Sequence, residues 1–220
     1  MKRIFQVIVM CMGFTTLNAQ VAEKTFAELK NEGNAAVGAK DYQKALDLYE
    51  HALVKWGDKP IADTSMIYNM GYCAYSAKNY DKALKYFEQS YSMNYKKVNS
   101  LVYKADSYKA MKNDAENLKA LETALSIAPD DAKVKTKMAS YYVKAATSVY
   151  SKGSTIITKA NSDIAAGKLK TSDAAYIASE KKAKDEYKKA LPLIEKAMSF
   201  DPANATAKQL KDACDQALKQ

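Results

Sequence analysis

The sequence predicts an all-α chain in which helix pairs stack one upon another, and three observations carry that prediction. The first is repetition. Residues 41–53 (DYQKALDLYEHAL), 79–91 (NYDKALKYFEQSY) and 113–125 (NDAENLKALETAL) superimpose so that small residues fall on small and large on large. Ala45, Ala83 and Asn117 correspond, as do Tyr49, Phe87 and Leu121, and Ala52, Ser90 and Ala124. The second is a further helical pattern upstream of each segment, whose small residue is Gly33, Gly71, Ala105 and then Ala139, the last three 34 residues apart. A fixed period of this length is the mark of a repeat architecture, in which one unit cannot bury its apolar face alone. The third is composition: the chain has 16 Tyr but only 7 Gly and 4 Pro in 220 residues, so few positions break helices.

The N-terminal segment reads as a secretory leader covering 1–19. Lys2 and Arg3 precede the apolar run 4–14, and the polar TTLNAQ follows, with cleavage expected between Ala19 and Gln20. The apolar run is about half of the ~20 residues needed to span a bilayer, so no stable transmembrane segment is expected in the mature chain. Cys11 lies inside the apolar run behind Met10, which is unlike a lipoprotein processing site. The NAQ ending resembles leaders of exported proteins in Gram-negative bacteria of the Bacteroides type, a resemblance that implies a mature protein in the periplasm or envelope.

The mature part, 20–220, is read as a single domain. Its first repeat, about 26–59, contains GNAAVGAKDY, which superficially suggests a phosphate loop. Such a loop needs Lys and then Ser or Thr directly after its second glycine spacing. Here Ala39 holds the lysine position, Lys40 comes one place late and Asp41 stands where the hydroxyl belongs. Gly33 is instead the small residue that lets two paired helices approach, and Gly38 to Asp41 is the turn between them. The interval to Gly71 is four residues longer than the others, an excess assigned to WGDKPIAD. The second repeat spans 64–97 and the third 98–131, the latter ending at Pro129; Asn117 in place of an alanine is expected to loosen its helix contact.

The fourth repeat, 132–204, breaks the period. Met138, Ala139 and Tyr142 start it in register, but Ala190, Ile194, Ala197 and Pro202 arrive 39 residues late. Apolar residues continue at helical spacing through Val149, Ile156, Ala160 and Ile164, then through Tyr176, Ala183 and Tyr187. The segment 149–186 therefore reads as an extended antiparallel helical hairpin, with a glycine in AGKLKTSD at its turn and Ser172 as the following N-cap; its outer turns are expected to pack mainly on each other. The alternative is a degenerate extra repeat over 132–170 followed by a fifth. Residues 205–219 form an amphipathic helix that caps the last apolar face.

Composition also excludes functions. Removing 1–19 takes Lys2, Arg3 and no acid, lowering the formal charge from +9 to +7. Arg3 is the only arginine. A mature chain with lysines alone lacks the planar fork that reads guanine edges, so nucleic acid is not an expected partner. With His51 the only histidine and Cys73 and Cys214 the only mature thiols, neither a metal site nor a catalytic dyad or triad can be drawn. The chain is expected to be no enzyme and to use no cofactor.

Residues 66–90, MIYNMGYCAYSAKNYDKALKYFEQS, carry most of one unit of the tetratricopeptide pattern, and the sequence resembles that family from about residue 26 to residue 202. The resemblance implies a helix–turn–helix solenoid whose first helices line a concave groove that holds a protein or peptide. Tyr68, Tyr72 and Tyr75, on one stripe of the second repeat's first helix, would then enter the groove. Some members grip a peptide's terminal carboxylate, and Lys30, Asn34 and Asn69 match that pattern. Asn99 and Tyr103 depart from it, standing where basic residues are expected. The function implied is an exported scaffold or adaptor; the alternative is a structural subunit of an envelope or secretion assembly. The export reading predicts a native intact mass that starts at Gln20; a native protein still carrying residues 1–19 would refute it.

Overall fold

The computed structural model describes residues 23–57 and 63–219; residues 1–19, read above as a leader, and residues 58–62 of the first-repeat excess lie outside them. The described residues form helices and turns without strands. In chain order the helices are α1 (Phe26–Gly38), α2 (Tyr42–Trp56), α3 (Thr64–Ser76), α4 (Tyr80–Ser92), α5 (Lys97–Ala110), α6 (Asp114–Ile127), α7 (Ala132–Ala165), α8 (Ala174–Phe200) and α9 (Ala205–Lys219). They fall into two compact units, one ending at Ala120 and one beginning at Leu121.

In the first unit α1 packs on α2 and α3 on α4, with α2 against α3, α4 against α5, and a lighter contact of α3 with α5. Glycine sets the closeness of each pair. A Cβ on Gly33 would meet Tyr49 Cε1 at 2.6 Å, and one on Gly71 would meet Phe87 Cδ1 at 2.9 Å. Tyr49 and Phe87 are fully buried against those bare backbones. Gly38 has no neighbour within 4 Å of such an atom, so it serves no packing role. Trp56, the single tryptophan, closes the far end of the first pair, its ring 4.8 Å from Phe26.

The turns share one device. Lys40, Lys78 and Lys112 hold φ near +60°, a left-handed conformation usually left to glycine. Each ends a helix by a pair of backbone bonds: Lys40 N–H donates to Val37 O, and Asp41 N–H to Ala36 O at 2.9 Å. The same two bonds recur at Lys78 with Asn79 and at Lys112 with Asn113. This is the Schellman arrangement, which satisfies carbonyls that the helix end leaves open. The residue after each lysine then caps the next helix, its side chain accepting from Lys44 N–H, Lys82 N–H and Glu116 N–H respectively. One residue thus terminates one helix and starts another. At the front of α1, Thr25 and Glu28 form a reciprocal capping box.

Asn117 does the opposite of loosening its contact. Buried, it donates from Nδ2 to the Ala105 carbonyl at 2.7 Å and ties α6 to α5.

In the second unit α7 packs along α8, and α9 lies against both. Helix α7 runs unbroken for 34 residues, so no turn divides 132–165. Val134, Met138, Ala139, Tyr142, Ala146, Gly153 and Ala160 are its buried face, opposite Ala183, Tyr187, Ala190, Ile194 and Ala197 of α8. Gly153 repeats the glycine device inside the hairpin: a Cβ there would meet Tyr187 Cε1 at 2.8 Å and the Ala183 carbonyl oxygen at 2.9 Å. The outer turns also have a third neighbour, since Ala217 of α9 borders a cleft of about 340 Å³ with Ile157, Tyr176 and Tyr187. Gly167 turns the hairpin at φ +69°. The N-cap of α8 is Asp173 rather than Ser172, and its carboxylate accepts from Lys170 N–H at 2.8 Å, bracing the turn instead of the helix. Pro192 sits inside α8 on an exposed face, where the Lys188 carbonyl that loses its partner can bond water.

Gly71→Leu is expected to lower unfolding free energy by about 1–3 kcal/mol or more by overpacking against Phe87. Gly38→Ala is expected to raise it by about 0.5–1 kcal/mol, because it replaces an unneeded helical glycine. Urea titration of both variants checks the pair; equal responses would overturn the assignment.

Candidate functional site

The candidate site lies wholly in the first unit, where helices α1, α3 and α5 carry the residues that the sequence singled out. Their environments separate into a polar part and an aromatic part.

The polar part is centred on the Tyr49 hydroxyl. It donates to Asn34 Oδ1 at 2.7 Å, and the Asn69 side chain also bonds it. Burial pushes the Tyr49 phenol up to about 12, with the Asn69 bond acting in the other direction. Asn34 and Asn69 are thus brought to one point by a residue of α2. Lys30 pairs instead with Asp63, the N-cap of α3. Burial acts to raise the Asp63 carboxyl, but bonds from Lys30, the Ser65 hydroxyl and Met66 N–H hold it below the usual carboxylate range. A cation spent on its own neighbour is a poor clamp for a foreign carboxylate. Lys104 of α5 is likewise paired, with Glu88.

The aromatic part is organised by Tyr103, the residue standing where the family's clamp has a base. Its ring stacks on Phe87 at 5.0 Å and 4°. It also meets Tyr75 at 5.3 Å, Tyr72 at 5.8 Å and Tyr68 at 6.4 Å, each inclined edge to face. Such offset and edge-on geometries are those that ring quadrupoles favour. Tyr68 is 9% exposed, enclosed by Phe87, Tyr95 and Tyr103 with the Lys96 ammonium 4.7 Å above its ring; burial pushes its phenol up to about 12. Tyr72 and Tyr75 are only half-buried. Tyr72 extends the chain of rings to Tyr42 at 5.6 Å, and Tyr75 extends it to Tyr80 at 6.0 Å. Tyr42 and Tyr72 are also joined by a hydrogen bond that raises the Tyr42 phenol. Burial and then the Asp106 carboxylate raise Tyr75.

The predicted tyrosine stripe therefore divides, with Tyr68 inside the packing and Tyr72 and Tyr75 at its surface. Sequence reasoning passed over Tyr42 and Tyr80 as functional residues. Each opens the second helix of its pair at the same position in the repeat, directly after the capping Asp41 or Asn79, and that shared place was the available signal. The thiols offer no chemistry: Cys73 and Cys214 are free and fully buried, and burial pushes Cys73 up to about 12. Among the described residues no cluster of His, Cys, Asp and Glu could hold a metal, and no helix is long and apolar enough to cross a membrane. The His51 ring bonds the Asp47 carbonyl of its own helix at 2.7 Å.

The fold is that of an all-helical repeat protein. Residues 64–97 match the tetratricopeptide repeat family. Among solved structures, the chain is similar to a tetratricopeptide repeats protein of Bacteroides fragilis NCTC 9343, at 24% identity over 87% of this chain and 98% of that one, with a TM-score of 0.51. It is less similar to a protein from Bacteroides ovatus ATCC 8483, at 16% identity over 89% and 98%, TM-score 0.48. YrrB, a tetratricopeptide protein with an unusual peptide-binding site, stands at 16% identity over 90% and 97%, TM-score 0.47. No curated protein matches the sequence. The architecture is that of tetratricopeptide proteins.

Tyr49→Phe removes the hydroxyl shared by Asn34 and Asn69 and is expected to cost about 0.5–1.5 kcal/mol of stability. Chemical denaturation checks this; an unchanged midpoint would show that the two amides do not depend on Tyr49.

Proposed function

We propose that this chain is an exported scaffold that holds a protein or peptide segment against the tyrosine chain of its first unit. One observation carries the reading. Five half-buried tyrosines from four helices, in the order Tyr42, Tyr72, Tyr103, Tyr75 and Tyr80, touch in series and keep part of their rings at the surface. Rigid amphipathic rings of this type concentrate binding energy at interfaces, because each offers apolar area and a hydroxyl with few rotatable bonds. The match of 64–97 to the tetratricopeptide repeat supports it, since that segment supplies Tyr68, Tyr72, Tyr75 and Tyr80. Tyr68 supports the chain from beneath.

Asn34 and Asn69 contribute as neutral polar neighbours, and Lys30 as a cation already paired with Asp63. The Tyr49 contact uses the Asn34 carbonyl oxygen, leaving the amide nitrogen to donate to a main-chain carbonyl of an extended segment. The pairing of Lys30 with Asp63 favours recognition of an internal stretch over a free C-terminal carboxylate. The leader-like residues 1–19 support export to the periplasm or envelope.

The test is a photoreactive amino acid placed at position 75 or, as control, at the exposed Val54, with crosslinking in native cells and identification by mass spectrometry. Adducts to a partner are expected at 75 and not at 54. Tyr72→Ala with Tyr75→Ala is expected to weaken that partner's capture by about 1–2 kcal/mol or more, with helical content unchanged. Capture that survives the double substitution, or a protein found only in a fixed high-mass assembly, would favour the structural-subunit reading.

A further inference from the structure

Two of the rings that press on a helix glycine are tyrosines, and their hydroxyls differ in what they meet. The Tyr49 hydroxyl, over Gly33, is bonded by Asn34 and Asn69. The Tyr187 ring sits over Gly153 in the same way and is only 5% exposed, yet its hydroxyl has no hydrogen-bond partner among the described residues. No sealed side-chain nitrogen or oxygen of those residues lacks a partner, so the Tyr187 hydroxyl is a part of the ring that reaches open space. That space is the cleft of about 340 Å³ which Tyr187 lines. Burial, then Tyr150 and Cys214, raise the Tyr187 phenol, so it keeps its proton and can donate. The cleft lies within the second unit, between α7, α8 and α9. On α8, Tyr176, Glu180, Ala183 and Tyr187 follow at intervals of four, three and four residues, which puts them on one face. Ile157 and Asn161 of α7, one turn apart, line it from the other side, and Ala217 of α9 borders it. The Tyr176 hydroxyl crosses from α8 to donate to Asn161 Oδ1 at 3.1 Å. Lys184, also on the wall, pairs with Glu180 Oε1 at 2.7 Å, and both side chains stay partly exposed.

We infer that this cleft of the second unit is a binding site for one neutral pyranose unit. The bonds already made inside it leave hydrogen-bonding capacity on every polar group. Asn161 gives its carbonyl oxygen to Tyr176 and retains both N–H donors, and the Tyr176 oxygen can still accept. Glu180 retains Oε2, Lys184 two of its three N–H groups, and Tyr187 its whole hydroxyl. Donors and acceptors are thus interspersed in one small space. Vicinal sugar hydroxyls, each donor and acceptor at once, match such an array. The Glu180 and Lys184 charges cancel, so the cleft selects a neutral guest: a carboxylate would be repelled by Glu180 and an ammonium by Lys184. The rest of the lining is apolar, with Ile157, Ala183 and Ala217 beside the tyrosine rings, and it suits the C–H face of a pyranose. Water can bond the polar groups, but covering those apolar walls with C–H surface is favourable in addition. The volume falls near the lower limit of the ~300–1,000 Å³ of small-molecule sites, room for a single ring and not for a long ligand. This inference is independent of the tyrosine chain, which lies in the other unit.

The experiment titrates the isotope-labelled full chain, followed by amide resonances, with the methyl glycosides of glucose, galactose, mannose and N-acetylglucosamine. Glucuronate, glucosamine and cyclohexanol form separate arms that test an anion, a cation and an apolar ring with one hydroxyl. At least one neutral glycoside is expected to shift the Ala183 and Ala217 signals and to saturate with a Kd of about 1–10 mM, and the three other arms are expected to bind more weakly. Tyr187→Phe is expected to lower that affinity about three- to tenfold, the loss of one hydrogen bond, while leaving the urea midpoint unchanged. A lowered midpoint would show that the hydroxyl is bonded within the fold and would overturn the inference. Ala217→Leu fills the cleft from α9 and is expected to abolish binding, with thermal melts to confirm folding; should it not fold, Tyr187→Phe decides alone. No shift at Ala183 or Ala217 with any glycoside up to about 50 mM would overturn the inference. So would cyclohexanol or a charged sugar binding as tightly as the best neutral glycoside, or binding that Tyr187→Phe leaves unchanged.

Discussion

A ring pressed onto a bare helix backbone is the contact on which the rest of this protein depends. It occurs at Gly33 with Tyr49, at Gly71 with Phe87 and at Gly153 with Tyr187, in each case at a distance that a Cβ would violate. Because the backbone, not a side chain, defines the floor of the contact, the axis separation within a pair is fixed rather than adjustable. The consequences reach the candidate site directly. Phe87, seated on Gly71, is the platform for Tyr103, and Tyr103 in turn orders Tyr68, Tyr72 and Tyr75. The surface rings are therefore positioned by a contact one layer below them.

Short turns complement this packing. With Lys40, Lys78 and Lys112 in left-handed geometry and the next residue capping a new helix, the chain reverses with no spare residues. A left-handed lysine costs about 1 kcal/mol relative to a relaxed backbone, a local strain sustained by the carbonyls and N–H groups that the turn satisfies. The long aliphatic stem adds nothing that glycine could not provide conformationally, but it keeps the turn charged and exposed.

Much of this was legible in the sequence, for identifiable reasons. The 34-residue spacing of Gly71, Ala105 and Ala139 and the matching Tyr49, Phe87 and Leu121 gave the helix pairs, since period and residue size are recorded directly in the letters. Long helices were legible for 149–186 because apolar spacing continued without proline. Gly153 was not read as a packing residue, because its ring partner lies 34 residues away across the hairpin instead of 16, as for Gly33 and Gly71. Asn117 was read as a defect because size alone was weighed, whereas its amide finds the Ala105 carbonyl. At the candidate site the stripe Tyr68, Tyr72, Tyr75 was visible, but which ring is covered depends on Tyr95 and Tyr103 arriving from later in the chain. Sequence spacing gives a face; its neighbours decide how much of that face remains open. The same reasoning accounts for Lys30, whose partner Asp63 is 33 residues away.

The position of Trp56 gives the molecule an internal optical reporter. The indole lies against Phe26 at the far end of the first helix pair, while the tyrosines are spread from α2 to α8. In a repeat architecture stability is close to a sum over units and their neighbours, so a terminal pair can fray ahead of the rest. Fluorescence excited at the red edge of the indole band registers opening of that first pair alone, whereas far-ultraviolet ellipticity sums over all the helices. Divergence of the two signals on heating would measure, without any label, how far the first repeat is decoupled from those that follow.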